Sequence, residues 1–177
     1  MDLEQLRYPI GKFTAPQEVT DRQLDDAINI LEIFPAQLKE LTGNLGPETL
    51  DTPYRPEGWT IRQVIHHIAD SHHNSYIRFK WALSEENPVI KAYDEKAWAE
   101  IGDYQISPVS WSIKHIQIVH HKLVYLLRML KDEQWARTFR HPETDEESDL
   151  KENALRYAWH SMHHYTHIKK ALERMRA

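Results

Sequence analysis

Residues 159–168 read WHSMHHYTHI and hold His160, His163, His164 and His167 within little more than two helical turns. Neutral imidazole is a transition-metal ligand, a proton carrier near neutral pH and a pH-sensitive cation. On a helix the four residues form two i,i+4 pairs, His160/His164 and His163/His167. Such pairs bring their Cβ atoms to about 6 Å, so two rings converge on one ion at ~2.0–2.1 Å. Spacing by itself is a weak signal: with twelve histidines in 177 residues, chance gives about one such pair. Orientation has to decide.

His160 and His164 share a helical strip with Tyr157, Ser161, Ile168 and Ala171, bordering an apolar face. His163 and His167 share theirs with Arg156 and Lys170, which predicts a solvent-facing pair. Two imidazoles do not complete a metal site, so a third ligand is needed from another element. Residues 61–78, IRQVIHHIADSHHNSYIR, offer one. His67 lies on the strip of Val64, Ile68 and Ser71 and points inward. His66, on the strip of Arg62, Asp70 and His73, is expected to be exposed. The expected metal ligands are therefore His67, His160 and His164. Three buried neutral rings without partners would be costly, and a divalent ion satisfies one nitrogen on each.

His120 falls on an inward series with Ile113, Ile116, Leu123 and Leu127. It is either a group at or behind the metal or a hydrogen-bonded core histidine. Tyr157, one turn before His160, and Ser71, one turn after His67, are candidate pocket groups; their ordinary role would be packing and helix-surface hydrogen bonding. His72, His73, His115, His121 and His141 are read as ordinary residues without a part in the site.

The elements that must position these groups are helices. Thr20 with Gln23 and Thr60 with Gln63 have the pattern of capping boxes. Ser107 before Pro108 reads as a cap with proline at the first helical position, and Asp149 opens a fourth helix. Each start leads into a 3.6-residue apolar period. The first carries Leu24, Ile28, Leu31, Phe34, Leu38 and Leu41; the second Ile61, Val64, Ile65, Ile68 and Ala69. The third carries Ile113, Ile116, Leu123, Val124, Leu127 and Leu130; the fourth Ala154, Ala158, Ser161, Tyr165, Ile168 and Leu172. Pro35 sits inside the first and is expected to kink it. Roughly 24 residues separate the second and third, long for a bundle loop, and residues 94–101 are expected to form a short helix there. No Asn-Gly or Asp-Gly divides alternating runs, so hairpins are not expected. The prediction is one all-α domain over residues 1–177, a four-helix bundle with its site between facing helices.

Composition narrows the function. A net charge of −5 and a pI near 6.2 argue against nucleic acid or anionic membrane as the main partner. No run approaches the ~18 apolar residues of a membrane span, and the polar, acidic opening MDLEQLRYPI is unlike a signal peptide, so the expected compartment is cytoplasmic. The absence of cysteine excludes disulfides, iron–sulfur clusters, thiolate zinc sites and a cysteine nucleophile. Thiol chemistry would need a co-substrate to bring the thiol. Ser161 follows His160 where a His-Glu-xx-His zinc protease has its general base, so that class is disfavoured.

Residues 58–72, GWTIRQVIHHIADSH, and residues 159–168, in this order and spacing, resemble the DinB/YfiT-like superfamily. The opening RYPIGKF, residues 7–13, is similar to its YfiT branch, and the resemblance covers nearly the whole chain. It implies a left-handed four-helix bundle, often homodimeric, with a metal on three histidines. The first of these follows the GWT cap and the other two form His-xxx-His on the last helix; matched here, they are His67, His160 and His164. It also implies metal-dependent hydrolysis. Some members resemble transferases that use low-molecular-weight thiols such as bacillithiol or mycothiol.

Three neutral protein ligands leave a divalent ion with open positions, the arrangement of a catalytic site. The expected cofactor is one divalent metal per chain, zinc first, with nickel as the alternative. The expected reaction is hydrolysis of a small-molecule substrate by metal-activated water, with no catalytic side chain identified. Two alternatives stand beside it: a metal-dependent S-transferase that turns over only with a free thiol, and a non-catalytic interaction bundle that senses metal or pH.

Overall fold

The computed structural model describes residues 2–176. Along the chain run α1 (Leu3–Arg7), α2 (Asp21–Thr42), α3 (Pro47–Leu50), α4 (Ile61–Ser84), α5 (Glu95–Ala99), α6 (Gly102–Ile106), α7 (Val109–Leu127) and α8 (Asp132–Trp135). A short hairpin, β1 (Thr138–Arg140) and β2 (Glu147–Asp149), precedes α9 (Leu150–Arg176). Both capping boxes form. Thr20 accepts from the Gln23 amide while Gln23 accepts from that of Thr20, and Thr60 and Gln63 do the same. Each box fixes where its helix begins and therefore which residues face inward. Asp149 caps α9 by accepting from the Glu152 amide at 2.7 Å.

The four long helices form a bundle in which α2 packs on α7 and α9, and α4 packs on the same two. The first two long helices along the chain, α2 and α4, thus stand across a diagonal. The apolar series of the four helices make two separate clusters. One holds Leu24, Leu31, Phe79, Leu123, Leu127 and Ala158. The other holds Phe34, Leu38, Ile65, Ile68, Ile116 and Ile168. Fully buried side chains such as Phe34, Phe79 and Ile68 each contribute ~1.5–3 kcal/mol. Between the clusters, at the same height on each helix, come His72 on α4, His120 on α7 and His160 on α9. The bundle has an imidazole layer at its waist.

Two expectations need correction. Ser107 does not cap α7: it ends α6, its amide donating to Asp103 and its carbonyl accepting from Arg62, and Pro108 takes the cap position. The connection between the long helices winds two short helices, α5 as expected and α6 besides, and so uses up Ser107. The hairpin was also unforeseen. Its strands are three residues each and its turn is long, with Asp145 at φ 53 rather than a two-residue Asn-Gly. Pro35 lies within α2. Among the described residues no helix is long and apolar enough to cross a membrane.

Candidate metal centre

His67, His160 and His164 meet where α4 faces α9. One nitrogen of each lies within 4.8 Å of the others, an arrangement able to hold a metal ion. The Nε2 atoms of His67 and His160 are 3.2 Å apart. Two ligands at ~2.0–2.1 Å on a tetrahedral ion would be separated by about 3.3 Å. Burial lowers His67 to a pKa of about 4, and burial with neighbouring imidazoles holds His160 and His164 well below 6.5. All three rings are therefore neutral at pH 7, with lone pairs to give. The donor set fits a first-row divalent ion.

The rings are oriented from behind, by two chains of imidazoles that each end on a backbone carbonyl. Pro35 has no N–H, so the Leu31 carbonyl lacks its helical partner. His120 Nδ1 reaches that oxygen at 2.5 Å. A carbonyl only accepts, so the proton is on Nδ1 and His120 Nε2 is an acceptor. His72 Nδ1 donates to it at 2.8 Å, leaving His72 Nε2 to accept from His160 Nδ1 at 3.1 Å. His160 Nε2 is left bare, facing the site. On the other side His167 Nε2 donates to the Arg7 carbonyl at 3.0 Å, and its Nδ1 stands 3.4 Å from His164 Nδ1. The same logic leaves His164 Nε2 unprotonated.

A cavity of about 380 Å³ opens on the three rings. Trp59, Ser71, Arg78, Tyr93, His141 and Tyr157 help to line it. Ser71 and Tyr157 thus line the same cavity as the three histidines. Burial raises the Tyr93 hydroxyl far above its ordinary value, so it stays protonated. A second cluster, His163, His164 and His167, also brings three nitrogens within 4.8 Å. It is roofed by the N-terminal segment: Tyr8 lies against His163 at 6.1 Å between ring centroids, and Arg7 holds His167. Among the described residues, all three members of the first cluster line the cavity, whereas of the second cluster His164 does.

This family of contacts corrects the helical-wheel reading at several positions. His163 and His167, expected to face solvent, are buried because residues of the N-terminal segment cross that face of α9. His66, expected to be exposed, is buried, with Nδ1 2.7 Å from Ser112 Oγ. The cause is the α5–α6 connection, tied onto α4 by Tyr104 to Asp70 and by Gln63 to the Ala99 carbonyl. His72, read as ordinary, is fully buried and carries the link from His120 to His160. His141, read the same way, lines the cavity. His73 and His115 bond to each other, His121 is exposed, and none of the three is among the residues that line the cavity.

The DinB superfamily matches residues 30–168. The chain belongs to the DinB superfamily. Within it, the chain is 48% identical over 171 residues to the Bacillus subtilis protein named "Putative metal-dependent hydrolase YfiT", covering 96% of each. It is 48% identical over 168 residues to a similarly named protein of Oceanobacillus iheyensis, covering 95% of this chain and 96% of that one. The solved structure of YfiT from Bacillus subtilis superimposes with a TM-score of 0.94 at 46% identity, covering 97% of this chain and 98% of that one. That protein is described as a "probable metal-dependent hydrolase with an unusual four-helix bundle topology". Membership in the DinB superfamily agrees with the bundle, and the diagonal placement of α2 and α4 gives this member its particular helix order.

Proposed function

We propose that the chain is a metal-dependent hydrolase of small molecules, with His67, His160 and His164 holding one divalent ion, zinc in preference to nickel. The observation that carries the reading is the convergence of three neutral imidazoles on a cavity, two of them with Nε2 bared by hydrogen bonds behind. A divalent ion held there supplies Lewis acidity, which makes water a nucleophile at neutral pH. The chain's own residues hold and aim. His72 and His120 keep the proton of His160 on Nδ1, and His167 does so for His164. Tyr93 and Tyr157 offer phenolic hydroxyls and Trp59 an apolar wall against which a substrate can lie. A second reading of the same site is a metal-dependent S-transferase; as the chain has no cysteine, its thiol would have to enter from solution as a low-molecular-weight co-substrate.

The test is metal content per chain after identical loading, for the native protein and for His67→Ala, His160→Ala, His164→Ala and His163→Ala. About one ion per chain, lost in the first three and kept in the fourth, is expected. Retention in His67→Ala and His160→Ala would end the reading. Hydrolysis of activated esters and amides, run with and without added thiol, then separates hydrolase from transferase. A homodimer is supported by Trp111, Ile118 and Tyr125, which recur at heptad spacing on α7 and are 63%, 59% and 71% exposed. Light scattering of the native chain and of Ile118→Glu tests it; a monomeric native chain would refute it.

A further inference from the structure

We propose that Arg78 binds an anionic oxygen group of the substrate, a carboxylate or a phosphate, beside the three-histidine centre. The proposal rests on the metal-dependent hydrolase reading and names the class of molecule that reading leaves open.

Arg78 lies on the strip of α4 that carries His67 and Ser71, and all three line the same cavity. Its guanidinium is partly enclosed, and Nε is buried with no hydrogen-bond partner. No ion pair and no hydrogen bond engages Arg78 among the described residues, although Arg62, Arg128, Arg137, Arg156 and Arg174 each hold a carbonyl or carboxylate oxygen. A guanidinium has five donors in a planar fork and cannot shed its proton. Leaving it half-enclosed and unmatched is costly, and the group that matches it is a two-oxygen anion bound side by side.

The other charges of the cavity favour the same occupant. Imidazole ligands bring no negative charge to offset an ion, so a divalent ion and Arg78 would together make this end of the cavity cationic. Glu95 and Glu143 line the cavity too, but both are exposed, so water screens them. A volume of about 380 Å³ suits a small molecule with one end on the ion and an anionic end on the arginine. A neutral substrate would leave Arg78 unpaired, and that would make the site select against it.

The test uses the full chain loaded with cobalt(II), whose thiolate charge-transfer band reports a thiol entering the open position. Mercaptoacetate, 3-mercaptopropionate and 4-mercaptobutyrate are titrated against their neutral hydroxyl counterparts, with 2-mercaptoethylphosphonate as the phosphate-like arm. At least one anionic thiol should bind about tenfold more tightly than its neutral counterpart. The better of the carboxylate and phosphonate arms identifies the group, and the best chain length gauges its reach. Arg78→Gln should abolish the preference while keeping cobalt content and neutral-thiol affinity, and Arg78→Lys should keep part of it. No preference in the native chain, or a preference that survives in Arg78→Gln, overturns the assignment. A chain that holds no cobalt overturns the metal reading with it, whereas bound cobalt with charge-blind thiol binding overturns the Arg78 assignment alone.

Discussion

Replacing His72 with phenylalanine should weaken metal binding without touching any of the three histidines that face the cavity. His72 is fully buried, and its Nε2 is the acceptor for His160 Nδ1 at 3.1 Å. A phenyl ring fills much the same space between Phe34 and Tyr157 but accepts nothing in the ring plane. His160 then has two options. It keeps its proton on Nδ1 and loses a hydrogen bond there, at about 1–3 kcal/mol. Alternatively it moves the proton to Nε2, where it blocks the lone pair offered to the ion. Both routes penalise the metal-bound state, by roughly ten- to a hundredfold in affinity, or about 1.4–2.7 kcal/mol. The assay is competition for zinc against a chromogenic chelator, with nitrogen-15 imidazole shifts of the metal-free chain reporting the tautomer of His160. His72→Gln, which retains one acceptor and one donor, should recover part of the loss. His73→Gln, on the exposed neighbour that bonds His115, should change nothing. A folded His72→Phe chain that binds zinc within twofold of the native protein would refute the orienting role.

The N-terminal segment makes a parallel prediction. Removing residues 2–13 takes away the Arg7 carbonyl that fixes His167, so zinc affinity should fall about tenfold in the same competition assay; an unchanged affinity refutes the link through His164. Acid stability follows from His120, whose pKa burial lowers from 6.5 to about 4, against the opposing effect of the hydrogen bond it donates to the Leu31 carbonyl. Between these values the unfolded chain binds more protons than the folded one, so stability is complete above pH 6.5 and is lost as pH falls toward 4. This ring alone contributes a slope of up to ~1.4 kcal/mol per pH unit. Urea unfolding of the metal-free chain at several pH values should show that loss, and a flat profile would contradict a neutral buried His120.

The parts of this molecule legible in its sequence were those that depend on one helix at a time. Capping boxes at Thr20 and Thr60 and the apolar period of α2, α4, α7 and α9 located the bundle, because both are local. The inward strip of His67, His160 and His164 was legible for the same reason. The errors arose where a face that is polar in composition is covered by something distant along the chain. His163 and His167 sit beside Arg156 and Lys170, which reads as solvent, yet Arg156 lies over Phe13 and Lys170 donates to the Pro9 carbonyl. Charged ends reach water while the stems and neighbouring rings are roofed. His66 was misread in the same manner, because Arg62 and Asp70 on its strip are engaged by Ser107 and Tyr104 of the long connection.

His72 poses a different problem, because its meaning lies in three helices other than its own. The chain from the Leu31 carbonyl on α2 through His120 on α7 and His72 on α4 to His160 on α9 crosses the whole bundle. Its direction is set at one end only. Imidazole can be protonated at either nitrogen, so a string of them is ambiguous until something that cannot donate terminates it. The Leu31 carbonyl is that terminus, and it is free because residue 35 is proline. An alanine there would supply an amide to the same oxygen and leave His120 to share it. A proline inside a helix costs about 3 kcal/mol, which makes Pro35 look like a defect of α2. Seen from His160 it is the origin of the order: a missing N–H on one helix decides which nitrogen is bare on another.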